Sequence, residues 1–220
     1  MLESAKVMRY FDRASVTFDS LYSENTMNQF ARFINRQFRR DIYERFLQTM
    51  EHIRQLKAQS VLDIGCGSGR YARAYAEIDV GRVVGVDMSK NMIDLAYHHT
   101  KEVASSKTRY DFVQTDFMEF MTSETFDVVV AMGFFDYIGE PITVLKKMKL
   151  LSKNSVIASF PSISWYRTPI RKIRYFYKKC PVYFYKKATL ENFAVKAGFS
   201  GCTVTKIKGA GMDYIAIFRV

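Results

Sequence analysis

Residues Ser60–Tyr71 read SVLDIGCGSGRY, and no other stretch of this 220-residue chain restricts its fold as much. Val61, Leu62 and Ile64 are spaced as a short buried strand. Gly65, Gly67 and Gly69 then let the backbone turn sharply with no Cβ between it and a ligand. A helix is predicted from about Arg70, with its first N–H groups facing whatever the turn holds. Strand, glycine turn and helix in this order predict an α/β sheet whose site lies at the carboxyl ends of parallel strands.

The spacing narrows the ligand. A dinucleotide fingerprint runs G-x-G-x-x-G, whereas these glycines run G-x-G-x-G, and a carboxylate, Asp63, sits in the strand just before them. A pyrophosphate is poorly matched to that charge, while a ligand with an ammonium or sulfonium group is well matched.

With those residues in view, VLDIGCGSGRY resembles the first motif of the class I S-adenosylmethionine-dependent methyltransferases. Other stretches agree in the family's order. VVGVDMS (Val83–Ser89) resembles the end of the second strand, whose acid holds the ribose hydroxyls; here that is Asp87, 22 residues after Gly65. QTDF (Gln114–Phe117) resembles the adenine-contacting turn, and FDVVVAMGFFDY (Phe126–Tyr137) the fourth strand with the loop beside the reacting methyl group. The resemblance covers roughly residues 60–160. It implies a three-layer α/β/α Rossmann-like fold with a mostly parallel seven-stranded sheet, the last strand being antiparallel. It also implies S-adenosylmethionine as cofactor and S-adenosylhomocysteine as product. The cofactor-binding residues it implies are Asp63, Gly65, Cys66, Gly67 and Gly69, then Asp87 and Met88, Thr115, Asp116 and Phe117, and Met132 and Gly133. Many family members close a Tyr-Asp pair near the N-terminus over the cofactor. This chain has Phe18-Asp19, so Tyr22 is the candidate to replace that hydroxyl. The N-terminal segment also faintly resembles the start of magnesium-protoporphyrin methyltransferases.

Length bounds the organisation to one well-buried unit with additions. The expected division is an N-terminal helical cap (1–58), a cofactor-binding half (59–160), a lid insertion (161–187) and a closing helix with a strand hairpin (188–220). Hydrophobic residues at 48% against 25% charged exclude a disordered chain. No apolar run is long enough to cross a bilayer and no signal peptide is recognisable at the start, so the expected location is cytoplasmic. Cys66, Cys180 and Cys202 have no metal or disulfide spacing, and no metal site is expected. His98 and His99 are adjacent, point about 100° apart on a helix, and cannot share a metal as an i, i+4 pair can. The formal charge of +11 raises nucleic acid, an acidic membrane or an anionic substrate as partners without choosing among them.

From Asn25 to Ala58, apolar residues recur every three or four positions and predict one or two amphipathic helices, with Arg32, Arg36, Arg39, Arg40 and Arg45 on a solvated face. Further helices are expected over Arg70–Ile78, from an N-cap at Ser89 to about Ser105, over Pro141–Leu151, and after a Thr189 cap to Gly198. Strands are expected over Arg82–Asp87, Tyr110–Gln114, Phe126–Met132 and Ser155–Phe160. Gly201–Lys208 and Asp213–Val220 read as a closing antiparallel hairpin.

Residues 161–187 break the sheet pattern: they hold three of the four prolines, eight of the 33 Lys and Arg, eight aromatics and no acid. At the carboxyl edge such an insertion reads as a lid or substrate-recognition segment, and the alternative is a surface excursion packed on the fold. Ile170, Ile173 and Phe176/Tyr177 against Arg171, Lys172 and Arg174 suggest a short helix of the kind that lies on an anionic membrane surface. Substrate contacts are assigned to Tyr137, Trp165, Arg167, Arg171 and Arg174.

Methyl transfer from a sulfonium is an in-line displacement, so the protein has mainly to align the reactants and exclude water. A hydroxyl acceptor would need a base, for which Asp136 and Tyr137 are the candidates; Asp136 could instead cap a turn. The loop lacks the Asn/Asp-Pro-Pro-aromatic signature of amide or base-nitrogen methylation, which favours oxygen of a small molecule, apolar or anionic. The rivals are a nicotinamide oxidoreductase, against which Asp63 and the glycine spacing count, an RNA- or membrane-associated methyltransferase, and a non-catalytic cofactor-binding subunit. Nucleic acid is not the expected partner, since no separate RNA-binding module is recognisable. The oligomeric state is open.

Overall fold

A computed structural model describes residues 7, 29–101, 107–164, 167–177, 180–207 and 213–220; of residues 29–41, 167, 170 and 174 it describes the backbone alone. The helices are α1 (Gln29–Gln55), α2 (Arg70–Ala76), α3 (Lys90–Lys101), α4 (Pro141–Leu151), α5 (Arg167–Tyr177) and α6 (Lys187–Ala197), with a short 3-10 turn at Phe135–Tyr137. The strands are β1 (Ser60–Ile64), β2 (Arg82–Asp87), β3 (Arg109–Gln114), β4 (Phe126–Ala131), β5 (Ser152–Phe160), β6 (Gly201–Lys206) and β7 (Tyr214–Arg219).

They form a seven-stranded sheet of order β3-β2-β1-β4-β5-β7-β6. β1 to β5 pair in parallel, and β7 runs antiparallel between β5 and β6. This is the Rossmann-like methyltransferase fold expected from the motifs. Chain progression reverses between β1 and β4, which leaves a crevice at their carboxyl ends.

Strand period decides the layers. Val61, Val83, Val128, Val130 and Ile157 pack under Met50 and Ile53 of α1, Ala72 and Tyr75 of α2, and Ile93 and Ala96 of α3. Leu62, Ile64, Val129, Ala131, Val156 and Phe160 point the other way, onto Val144, Leu145 and Met148 of α4 and Leu190 and Ala194 of α6. Both faces of β1, β4 and β5 are therefore covered, which is why these strands read as continuous apolar runs.

Most boundaries agree with the sequence within a few residues. Thr189 does not cap α6: that helix starts at Lys187, with Lys186 at its N-cap, so Thr189 lies within the first turn, and Gly198 closes it in the left-handed conformation with φ 80°. β5 begins at Ser152, earlier than expected, because Ser152 pairs with Phe126 across a register shift. The tip of the closing hairpin, the end of the helix predicted to Ser105, and Tyr22 and Trp165 lie outside the described residues. Cys66 and Cys180 are buried and Cys202 half-buried, with no disulfide among them.

Candidate functional site

The turn after β1 is tied to the end of β2. Val86 O accepts from Gly65 N at 2.7 Å and from Cys66 N at 3.2 Å, and Gly67 N donates to Asp87 Oδ2 at 3.0 Å. Gly67 has φ 53°, and a Cβ there would meet nothing within 4 Å, so the turn is concave and open on the ligand side. Gly69, at φ 77°, serves packing instead: a Cβ would stand 3.0 Å from the Ala96 backbone, and its absence lets α2 close onto α3. His99 of α3 completes the cradle through Nδ1, 2.9 Å from Ser68 O. A carbonyl only accepts, so Nδ1 carries the proton. Nothing in the sequence marked His99 for this.

Two carboxylates face this turn with different environments. Asp87 is half-buried at the end of β2, and its Oδ1 also accepts from Ser89 N at 2.9 Å. Ser89 itself caps α3, accepting from Met92 N through Oγ. Asp63 is only 2% exposed, and its Oδ2 has no hydrogen-bond partner among the described residues. Burial first, and the Asp87 charge second, push its pKa up to about 8. The same burial and the Asp63 and Asp87 charges hold the Cys66 thiol far above its ordinary value, so Cys66 is a packed residue of the turn and not a thiolate. A buried acid without a partner beside an open glycine cradle suits a ligand that brings positive charge, and S-adenosylmethionine fits these residues on that ground. Met88 follows Asp87, half-buried, on the same edge.

The turn after β3 lies next along this edge. Thr115 N donates to Asp87 O at 3.0 Å, and Asp116 Oδ1 accepts from Met118 N at 2.9 Å. Phe117 is 3% exposed with its ring edge-on to Phe134, so Asp116 and the backbone are the parts of this turn open to a ligand. Lys147 of α4 holds the turn from behind: its Nζ donates to Phe117 O at 2.7 Å, Met118 O at 2.9 Å and Phe120 O at 2.6 Å. Sequence reasoning missed it because a lysine on a helix face carries no signal for a contact about 30 residues upstream. Lys147→Met leaves these carbonyls without their cation. It is expected to weaken S-adenosylhomocysteine binding about five- to thirtyfold, on the basis of about 1–2 kcal/mol from misplacing the turn. Calorimetry on the variant checks this, and an unchanged Kd would show that the turn holds itself.

The loop after β4 forms the opposite wall. Gly133 N donates to Ser159 Oγ at 2.7 Å, and Arg45 Nη1 reaches the same oxygen at 3.2 Å. Arg45 is therefore not on a solvated face, a correction to the sequence reading: α1 crosses close enough to β4 and β5 for a long side chain to reach their carboxyl ends. Met132 lies half-buried with its sulfur 3.8 Å from Thr49 Oγ1. Asp136 is 9% exposed and Tyr137 half-buried.

The described residues of the 161–187 segment pack against this loop. Arg171 Nη2 of α5 donates to Asp136 Oδ2 at 2.7 Å, and its Nη1 lies 3.6 Å from Asp213 Oδ1. Tyr137 and Tyr175 hydroxyls meet at 3.0 Å. Burial raises the Asp136 pKa, Arg171 opposes this, and Asp213 adds to it, leaving it at about 6. The apolar face of α5 points outward, with Ile173 60%, Phe176 79% and Tyr177 80% exposed. Arg171, expected on a basic face opposite these residues, is turned inward onto protein carboxylates. The side chains of Arg167 and Arg174 lie outside the described set.

A doubly wound sheet with a glycine cradle, two acids and an adjacent covered loop at one switch point defines a cofactor-binding α/β enzyme site. Residues 55–197 match the family described as "Methyltransferase domain", and the chain belongs to that family. Among similar proteins, the ubiquinone biosynthesis O-methyltransferase of Actinobacillus pleuropneumoniae serotype 7 is 30% identical over 115 residues, covering 50% of this chain and 47% of the relative. Its counterpart in Coxiella burnetii is 30% identical over 109 residues, covering 49% and 44%. The chain thus spans about half the length of the curated relatives it matches. Among solved structures, magnesium protoporphyrin IX methyltransferase from Synechocystis PCC 6803 with bound SAH superposes with a TM-score of 0.77 at 19% identity, over 97% of this chain and 98% of that one. At that identity the likeness is one of fold. Among the described residues no helix is long and apolar enough to cross a membrane, and no cluster of acids, His and Cys could hold a metal.

Proposed function

We propose that this chain transfers a methyl group from S-adenosylmethionine to an oxygen of a small molecule that is apolar in body and carries an anionic group. The observation that carries the reading is the buried Asp63, whose Oδ2 has no hydrogen-bond partner among the described residues, beside the open Gly67 cradle and one strand away from a loop contacted by a basic aromatic segment. Residues 1–220 would act as one unit, with the cap, cofactor half, lid and closing hairpin divided as above. Bound S-adenosylmethionine would supply an electrophilic methyl carbon. Asp87 and Gly67 would hold its ribose side, Asp116 its adenine, and Asp63 its positively charged end, while Asp136 and Tyr137 face the acceptor.

The names of the relatives, one for ubiquinone biosynthesis and one for magnesium protoporphyrin IX, support a small-molecule acceptor and, for the first, oxygen. The outward Ile173, Phe176 and Tyr177 favour a second element of the reading, contact with an anionic membrane from which such an acceptor could be drawn. A cytoplasmic location fits both elements.

Calorimetry with S-adenosylmethionine, S-adenosylhomocysteine and NAD is expected to show binding of the first two only, and a preference for NAD would overturn the reading. A methyl-release assay over hydroxyl, amine and RNA acceptors then tests the acceptor class. Co-sedimentation with phosphatidylglycerol-containing vesicles at low salt tests the membrane element, which fails if the protein stays in the supernatant.

A further inference from the structure

We propose that Arg171 and Tyr175 are positioning residues that clasp the acceptor-side loop to α5, so that lid helix and loop hold their places together. The two lie one helical turn apart and reach consecutive residues: Arg171 grips Asp136 and Tyr175 meets Tyr137. The segment between α5 and α6 lands on the same loop. Tyr183 N donates to Asp136 O at 2.9 Å, and Tyr185 Oη donates to Phe135 O at 3.1 Å and Ile138 O at 3.2 Å. These inward contacts therefore converge on residues 135–138, which include both candidate catalytic side chains.

Charge makes Arg171 the key of the clasp. Asp136 is buried with Asp213 nearby, and among the described residues the cations acting on it are Arg171 from α5 and Arg45 from α1. Tyr137, Tyr175 and Tyr185 are the other titratable groups around the pair. A buried carboxylate that loses its hydrogen-bonded guanidinium is strongly destabilised where it stands, so the loop moves to find water. Arg171 also spans two elements, the loop through Nη2 and the start of β7 through Nη1, with its guanidinium carbon 5.5 Å from the Phe184 ring centroid. A lysine has the charge but not the fork. Lys172, the next residue, is exposed and has no part in the clasp.

The proposal rests on reading this loop as the acceptor side, but hydrogen exchange tests it without turnover, so the two can fail separately. Deuterium uptake of the full chain is followed in peptides covering 133–140 and 167–177. Arg171→Gln is expected to speed exchange at least about tenfold in both peptides, Arg171→Lys to restore part of the protection, and Lys172→Gln to leave both as in the wild type. Asp136→Asn should mimic Arg171→Gln, and the double variant should add nothing to either. Unchanged exchange over 133–140 in Arg171→Gln, or the same acceleration in Lys172→Gln, would overturn the clasp. If Arg171→Gln does not fold, Tyr175→Phe decides: a smaller but joint acceleration of the two peptides is expected, and no change in the loop peptide rejects the proposal.

Discussion

Asp87→Ala is expected to raise the Kd for S-adenosylhomocysteine by about a hundredfold, and by no less than about tenfold, in a protein that still folds. The carboxylate has two tasks. Its Oδ2 anchors Gly67 N at 3.0 Å and its Oδ1 anchors Ser89 N at 2.9 Å, which sets the glycine turn and the start of α3. On the proposed reading the carboxylate also accepts from the ribose hydroxyls. Hydrogen bonds to a charged group contribute about 1.5–3 kcal/mol each, so losing the ribose pair alone approaches a hundredfold even after water has replaced part of it. The core lies elsewhere, in the packed faces of the sheet, so the thermal midpoint should move little. Asp87→Asn is the sharper variant. Whichever way its amide turns, an NH₂ faces one of the two backbone donors, so it should bind nearly as poorly as the alanine variant. Wild-type affinity in either variant would reduce Asp87 to a structural acid.

The second large effect is on pH dependence. Asp63 has a pKa of about 8 in the folded chain against 3.8 for an ordinary aspartate, with burial the larger cause and Asp87 the smaller. The folded state therefore keeps a proton that the unfolded chain releases. The sign follows directly: the contribution is fully present below about pH 3.8 and is lost as pH rises to about 8. Within that window the slope is about 1.4 kcal/mol per pH unit. Asp63→Asn removes the slope, so at pH 7.5 the cofactor-free variant should be more stable than the wild type by at least about 2 kcal/mol, whereas near pH 4 the two should converge. Urea denaturation across pH 4.5–8.5 measures the difference and cancels the titrating groups that do not interact with Asp63.

The same charge should couple to binding. A positively charged ligand stabilises the ionised acid, so S-adenosylmethionine should bind more tightly as pH approaches 8 and should release a proton on binding near pH 7. Calorimetry in buffers of different ionisation enthalpy counts that proton. Equal heats in all buffers, with a stability slope unaltered by Asp63→Asn, would sink the assignment.

Arg171 was legible as a basic residue of a lid, yet its partner was not. Its expected role was a substrate contact, while in the structure it pairs with Asp136 at 2.7 Å, a residue 35 positions upstream. Burial explains the difference. An acid enclosed by the fold recruits the nearest cation that can reach it, and reach is a property of the folded chain. Arg45 makes the same point from the N-terminal side: periodicity placed it on the polar face of α1, but the way α1 crosses the sheet brings that part of the face over Ser159.

What the sequence determined by itself is everything written in local pattern. Alternating or continuous apolar runs set the strands, three-to-four spacing set the helices, and glycines placed the turn. The order of the motifs, through the family they resemble, then implied a mostly parallel sheet with its site at the carboxyl edge, where Asp63, Asp87 and Asp116 gather. Each of those signals lies within about a dozen residues, where the backbone geometry of one element governs. Only the tertiary structure decided that Lys147 braces the turn at 117–120, that His99 holds Ser68, and that α5 turns Arg171 inward and Phe176 and Tyr177 outward. These are pairings between side chains distant in sequence, chosen by which polar groups the packed layers bury and which long side chains can reach them, and that choice does not exist until the layers have closed.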